Sequence, residues 1–269
     1  ILRIKGEVIS GALLTASIVY AKNLDLLDFK EKNVSNYFSA LVALNNNDNK
    51  SLNYFNLSNF LKETHPSYIE KYFFSLVRNG EIKTAVSKIK LIKNKKFINF
   101  FEAQLLLLLD SIKKKNYRKS IFYINNLKKY KEKGTFEFII LSSLEDYIYT
   151  FSNNKIKDSE VNNFGNFGLI NKAFQKCYLD DPKTSFFFQN VITNDTSNNS
   201  SRYLFFYINY LVEQKNYKKI KNLSSSIDPL KSTLLVSQSK NWIDEENYKN
   251  FSRLFSCKNS NDIISEFLF

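Results

Sequence analysis

Few side chains in this chain could perform acid–base, nucleophilic or metal chemistry. The single histidine, His65, stands beside Pro66, and one imidazole cannot build a metal cluster, so we expect it on the surface. Cys177 and Cys257 lie far apart and have no histidine near them in the sequence, which predicts two buried, unreactive thiols. A single bridge between them is the alternative.

The remaining chemical patterns have structural interpretations. Asp180 and Asp181 resemble a carboxylate pair, but they directly precede Pro182, as residues that cap a helix do. The acidic run Asp244–Glu246 is predicted to begin a helix, where negative charge is favourable. Gly165–Gly168 lacks the Lys-Ser/Thr that follows a phosphate-binding loop. We therefore expect no enzymatic activity, no cofactor, no metal and no small-molecule ligand.

Composition predicts an all-α chain, because only 6 Gly and 3 Pro occur in 269 residues and tight β-turns need more of both. The net charge of +13 fits nucleic acid or an anionic membrane surface. The alternative is codon bias of an AT-rich genome, which also favours Lys, Asn, Ile, Phe and Tyr. We prefer the alternative, since the positive charge is mostly lysine and is spread along the sequence.

A helical hairpin is predicted over Glu102–Tyr130, with a polar turn at Lys113–Asn116. A hairpin this short cannot bury its apolar faces alone and needs similar neighbours. The small residues that begin successive second helices, Ser51, Ala85 and Ser120, are 34 and 35 residues apart. The sequence around Tyr117 is repeated around Tyr217, 100 residues later, which is close to three such periods.

Helix–turn–helix units with this period resemble the tetratricopeptide repeat family, most clearly across residues 35–130 and 200–228. The family's packing positions hold the following residues in the first, second, third and late copies: Ser35, Phe38, Ser39, Val42, Ser51 and Phe55; Ile69, Tyr72, Phe73, Leu76, Ala85 and Ile89; Gln104, Leu107, Leu108, Ser111, Ser120 and Ile124; Leu204, Tyr207, Ile208, Leu211, Ile220 and Ser224. The composition is also similar to that of tetratricopeptide proteins from alphaproteobacteria with AT-rich genomes.

The resemblance implies a right-handed α-solenoid of helical hairpins over residues 35–269, which we expect to continue past 269. It also implies a scaffold that binds a peptide or helix of a partner protein along the concave face of the first helices. By register that face carries Asn36, Ala40, Glu70, Phe74, Arg78, Glu102, Leu109, Lys113, Arg202 and Asn209. The paired Lys and Asn residues that clamp a C-terminal carboxylate in some family members are missing, which disfavours capture of chaperone tails.

Two other functions stay open at this point. The chain could bind RNA, because Lys115–Lys119 mixes basic and aromatic residues, although we expect Tyr117 and Tyr217 to pack inward. It could also be a helical accessory region of a larger envelope enzyme. Nucleic acid is the less favoured partner, since the recurring polar pairs of one-base-per-repeat readers are absent.

The N-terminal segment has two interpretations. Residues 1–21 combine a basic start with an apolar run and a small-residue ending, as a signal peptide does, and the alternative is a first amphipathic helix. The run is too short for a stable membrane span. Residues 22–34 are predicted to be a charged connector. An export signal would place the protein in the periplasm or at the envelope, and otherwise it would be cytoplasmic.

Overall fold

The computed structural model describes residues 31–63, 65–157, 164–193, 201–225, 227 and 233–268. Every regular element within these ranges is helical, which confirms the all-α prediction. The α-helices are α1 (Glu31–Asn45), α2 (Ser51–Leu57), α3 (Pro66–Arg78), α4 (Ile82–Leu91), α5 (Phe101–Lys113), α6 (Tyr117–Leu127), α7 (Phe136–Asn153), α8 (Asn166–Tyr178), α9 (Thr184–Thr193), α10 (Ser201–Glu213), α11 (Tyr217–Ser225), α12 (Leu234–Asp244), α13 (Lys249–Leu254) and α14 (Ser260–Leu268). Short 3-10 helices span Asn59–Glu63, Lys95–Ile98 and Lys128–Tyr130.

Both N-terminal predictions fall mainly outside the described residues. Residues 1–21, the possible signal peptide, lie entirely outside them, as do residues 22–30 of the connector. The end of the predicted connector, Glu31–Val34, is the first turn of α1, so the connector prediction is wrong there. Glu31 lies in that first turn, where the helix dipole favours a negative charge.

The chain divides into two compact units, one up to Leu107 and one from Leu108 onward. In the first unit, α1 packs on α2 and on α3, and α3 packs on α4. In the second unit, α10 is the central helix, with α9, α11, α12 and α13 packed against it. Residues 205–211 of α10 are all buried, because neighbouring helices cover every side of it.

One helix-ending turn recurs throughout the described chain. At each copy, a residue with positive φ donates its N–H to the carbonyl three residues back, and the next residue donates to the carbonyl five residues back. Gly80 donates to Val77 (3.0 Å) and Glu81 to Leu76 (2.9 Å), which is the Schellman pattern. The positive-φ residues of these turns are Asn47, Gly80, Lys115, Asp180, Lys215 and Glu246.

The spacing of these turns is close to the period in the sequence. The first three are 33 and 35 residues apart, and the last three are 35 and 31 apart. Two of them, at Asp180 and Glu246, lie where the sequence pattern gave no clear copy. Neither position holds a glycine or an asparagine, so only the backbone reveals that the same turn has been used.

Glycine and lysine exchanges in these turns should have opposite effects on stability. Gly80→Ala is expected to lower the free energy of unfolding by about 1 kcal/mol, because alanine resists the left-handed conformation (φ +77°) and a Cβ there would contact nothing within 4 Å. Lys115→Gly, at φ 54°, is expected to raise it by up to about 1 kcal/mol. Urea unfolding of both variants and the parent measures this, and equal signs for the two changes would contradict it.

The predicted core register is confirmed in the second, third and late copies of the repeat. Ile69, Tyr72, Phe73 and Leu76 are each at most 2% exposed, and Ala85 is fully buried. The predicted third-copy positions are likewise buried, and those of the late copy are buried except for half-buried Leu204. Small residues at the helix crossings make buried hydrogen bonds, Ser51 to Ser75 (2.9 Å) and Ser111 to Ser120 (2.8 Å).

The predicted register of the first copy is wrong in its first helix. Phe38 is 60% exposed and Val42 is 59% exposed, while Ala40 and Leu44 are buried. The turn explains the error. Leu44 precedes Ser51 by seven residues, whereas Leu76 precedes Ala85 by nine, so the core positions of α1 lie two residues later than a strict period places them.

The capping predictions had mixed outcomes. His65 is exposed as expected, and its Nδ1 also caps α3 by accepting the N–H of Tyr68 (3.3 Å). Asp181 accepts the N–H of Lys183 (2.7 Å) just before α9, consistent with a cap. The prediction that Asp244–Glu246 begins a helix is wrong, because Asp244 ends α12 and Glu246 occupies the left-handed turn after it.

Cys177 and Cys257 form a disulfide, so the expectation of two free thiols is wrong. Their Cα atoms are 5.4 Å apart, within the range that a disulfide requires. Cys177 lies in α8 and Cys257 in the connection between α13 and α14, and both are buried as predicted. The two cysteines are 80 residues apart in the sequence, so the local sequence pattern did not predict their contact in the fold.

Candidate interaction surfaces

The predicted groove residues of the first unit occupy different environments. Asn36 and Glu70 are half-buried, and Glu70 forms an exposed ion pair with the adjacent Lys71 (3.1 Å). Glu102 is exposed at the start of α5. Phe74 is 54% exposed. Of these residues, Phe74 offers the largest apolar area to another molecule.

Arg78 has a structural role that its sequence context did not indicate. Its guanidinium donates to the carbonyl of Leu44 (2.8 Å) and to the side-chain oxygen of Asn47. These acceptors lie at the end of α1 and in the turn after it. Arg78 therefore satisfies a carbonyl at the helix C-terminus, where a positive charge is favourable, and holds α3 against α1.

In the second unit, the predicted groove residues are also dispersed. Leu109 is half-buried and Lys113 is exposed, both in α5, and Arg202 pairs with Glu266 of α14. Asn209 is fully buried and donates from Nδ2 to the carbonyl of Phe255 (2.9 Å). The assignment of Asn209 to an open groove is wrong, because α10 is covered on all sides and the amide holds a core connection instead.

The corrected register identifies an apolar surface in the first unit. With core positions of α1 shifted by two residues, Val42 corresponds to Phe74, and both side chains are more than half exposed. Val42 lies one turn after Phe38 on α1, and Val77 lies one turn after Phe74 on α3. The two helices pack side by side. We call these four residues the α1/α3 face.

Half-buried Tyr37 and the buried rings of Tyr68 and Phe55 connect α1 with α2 and α3. The ring of Tyr37 lies 5.9 Å from that of Tyr68 and 6.2 Å from that of Phe55. The Tyr68 hydroxyl donates to the carbonyl of Phe55, and burial raises the pKa of Tyr68 far above its ordinary value. This buried phenol is therefore neutral, and its hydrogen bond satisfies the Phe55 carbonyl.

Positive charge is concentrated on the second helices of the hairpins and their flanking turns, contrary to the even distribution inferred from the sequence. Residues 79–96, around α4, contain six basic side chains and one acidic one. Residues 113–133, around α6, contain nine basic side chains and one acidic one. Residues 214–225, around α11, contain four basic side chains and none that is acidic.

Helix α6 adds exposed apolar side chains to this charge. Ile121 is 50% exposed and Phe122 is 59% exposed, while Ser120, Ile124 and Leu127 are buried against the rest of the unit. The corresponding outer positions of α11 are polar. Sequence reasoning missed Ile121 and Phe122 because neither occupies a packing position of the repeat.

The tyrosines of the repeated turn sequence lie partly inward. Tyr117 is half-buried with its ring 6.2 Å from that of Phe151, in line with the prediction. Tyr217 is 41% exposed and packs 4.8 Å from Tyr248, so it is less buried than predicted. Both rings contact the next hairpin and are not free platforms for bases.

A cavity of about 380 Å³ lies between α11 and α12. Its cationic groups are already engaged, since Lys221 pairs with Glu246 (3.3 Å) and Lys240 donates to the carbonyl of Ile227 (3.3 Å). Across the described residues, no three His, Cys, Asp or Glu side chains are grouped as metal ligands would be. The exposed surfaces of α1, α3 and α6 are therefore the candidate interaction sites.

Comparison with protein-family models, curated proteins and solved structures gives no match. Within the part of the chain that the structure describes, no helix is both long enough and apolar enough to cross a membrane.

Proposed function

We propose that the chain is a helical-hairpin scaffold of the tetratricopeptide type, without catalytic activity, that binds an amphipathic helix of a partner protein on the α1/α3 face. One observation carries the proposal. Val42 and Phe74 stand at equivalent positions on two adjacent first helices, and both are more than half exposed, as is Phe38 one turn before Val42. Exposed apolar side chains at matched positions are unfavourable in water unless another apolar surface covers them.

The geometry favours a helix as the occupant. Each of the two helices presents an apolar pair one turn apart, Phe38 with Val42 and Phe74 with Val77. The seam between two packed helices receives a third helix whose apolar residues recur at every third or fourth position. Glu70 and Lys71 beside the face supply charges of both signs, which suits a partner with a mixed polar face.

The site of action that fits best is an oxidising compartment such as the periplasm or envelope. A buried disulfide supports this location, because cytosolic proteins rarely keep structural disulfides. The redox state of the two cysteines in growing cells can be measured by trapping free thiols with a maleimide that adds mass. If the maleimide modifies both cysteines only after reduction, the result supports this location. If it modifies them in the denatured but unreduced protein, the result contradicts it.

Site-specific photocrosslinking tests the binding face. A crosslinking residue at Phe74 in the cell is expected to capture one protein, and the same residue at Phe136, which is 71% exposed in the second unit, serves as the matched control. The captured segment should be an amphipathic helix. As a synthetic peptide it should bind the parent, and Phe38→Ser with Phe74→Ser should weaken that binding by about 100-fold or more.

The same experiment separates the alternatives. The double variant should keep the parent's helical circular dichroism and thermal midpoint, since both rings are exposed. Unchanged peptide affinity in that variant would contradict the assignment of the face. Crosslinks at Phe74 that disappear on nuclease treatment would favour RNA as the partner.

A further inference from the structure

The outer face of α6 combines charge with apolar area in one stripe. On a helix with 3.6 residues per turn, Arg118, Phe122 and Asn125 follow one another on the side opposite buried Ser120, Ile124 and Leu127. Lys119 and Ile121 flank this stripe, and Lys128 begins the 3-10 turn that follows it. All six outer residues are exposed. We call them the α6 face.

The charges around the α6 face are unevenly neutralised. Lys114 pairs with Asp110 (2.9 Å) at one end of the hairpin, and Lys131 pairs with Glu145 of α7 (2.7 Å) at the other. Glu132 is the one acidic residue between positions 113 and 133. The centre of the face, around Arg118 and Lys119, therefore retains a strongly positive field.

We propose that the α6 face docks the protein on a membrane surface rich in anionic lipids. Arg118, Lys119 and Lys128 would lie among the headgroups, while Phe122 and Ile121 enter the boundary between headgroups and acyl chains. Basic side chains attract an anionic bilayer, and exposed apolar side chains between them add a second source of affinity. This proposal uses a different unit and a different surface from the α1/α3 face and does not depend on it.

The side chains favour a bilayer over nucleic acid. Eight of the nine basic residues between 113 and 133 are lysines, which act as point charges, and one is arginine, the residue that recognises phosphates and bases in a fixed geometry. Ile121 is aliphatic and offers a base nothing to stack on. The ring of Phe122 is packed against Tyr123 at 5.4 Å in an edge-to-face arrangement. An inserted aliphatic and aromatic pair suits the membrane boundary.

Helix α11 provides a matched control for charge alone. It carries the same repeated turn sequence, and its outer positions hold Lys218, Lys221 and Asn222 without an exposed Ile or Phe. Replacing Lys215, Lys218 and Lys221 with glutamine removes as much charge as replacing Arg118, Lys119 and Lys128. If net charge alone drives binding, the two triple variants should behave alike.

Vesicle co-sedimentation of the purified chain tests the proposal, with phosphatidylcholine vesicles and vesicles in which part of it is replaced by phosphatidylglycerol. The parent is expected to bind only the anionic vesicles, more weakly as salt rises. The triple variant of the α6 face should bind about 100-fold more weakly, and Ile121→Ser with Phe122→Ser about 10-fold more weakly. The triple variant of α11 should stay within about threefold of the parent.

Other outcomes would overturn the proposal. Equal losses in the two triple variants would show that diffuse net charge drives binding, and no binding to anionic vesicles would exclude a membrane role. Competition by a single-stranded RNA, with unchanged affinity in the Ile121 and Phe122 variant, would assign the face to nucleic acid. Thermal unfolding of every variant identifies any loss of affinity that comes from loss of the fold.

Discussion

Replacing Cys177 and Cys257 together with alanine is expected to lower the free energy of unfolding of the second unit by about 4 kcal/mol. A bridge that closes a loop of 80 residues restricts the unfolded chain strongly, and the expected loss grows with the logarithm of loop length. Both cysteines are replaced at once, because a single replacement would leave a reactive thiol and confuse the result.

Several polar contacts hold the same connection and should localise the effect. Ser256 donates to Glu213 (3.1 Å), Lys258 pairs with Asp180 (3.2 Å), and Asn209 donates to the carbonyl of Phe255. Since these contacts remain, the double variant should still fold. Hydrogen exchange should report the largest loss of protection in α14 and the connection that precedes it.

Urea unfolding with and without a reductant measures the disulfide's contribution. The parent under reducing conditions should match the double variant, and the double variant should not respond to the reductant. A parent that is equally stable in both conditions would contradict the prediction. Alkylation of two thiols in the unfolded but unreduced parent would show directly that the bridge is not formed.

The parts of the fold that the sequence predicted well depend on local spacing. Ala85 and Ser120 mark helix crossings where only a small side chain fits, and the period that connects them is set by two helices and one turn. The same local logic located the turn at Gly80, because glycine adopts positive φ without strain. It missed Asp180 and Glu246, because neither residue is a glycine and their side chains did not predict positive φ.

The errors arise where contacts between distant parts of the chain determine the environment of a residue. Asn209 looks like a surface residue in its own helix, and only the packing of four other helices around α10 makes it a core residue. The disulfide joins two segments that no periodic pattern relates. The acidic run after Asp244 fits either end of a helix in sequence, and the Schellman turn decides for the C-terminal end.

Both candidate surfaces were partly accessible from the sequence. Phe74 was predicted to lie on an open face and is 54% exposed, while Phe38 and Val42 were placed in the core, because a strict period ignores the shorter turn of the first hairpin. In α6, Phe122 lies opposite the buried positions, and a helical projection centred on Ser120 and Ile124 would have shown it as exposed.

Phe174→Ala is expected to destabilise the second unit by about 3–5 kcal/mol, because the ring is 1% exposed and its removal leaves a cavity. The ring of Phe174 lies 5.3 Å from that of Phe206, 5.8 Å from that of Phe255 and 5.9 Å from that of Phe188, so three elements lose contacts at once. Urea unfolding measures the change. Phe186→Ala is the control, since that ring is 58% exposed and its loss should change stability by at most about 0.5 kcal/mol.

The two large effects should be coupled, because Phe255 contacts Phe174 and stands two residues before Cys257. Without the disulfide, the connection that carries Phe255 can move into the space left by Phe174, and part of the cavity closes. The combined variant should therefore lose less stability than the sum of the separate losses. A double-mutant cycle that shows strict additivity would mean that the bridge does not fix Phe255 against α8.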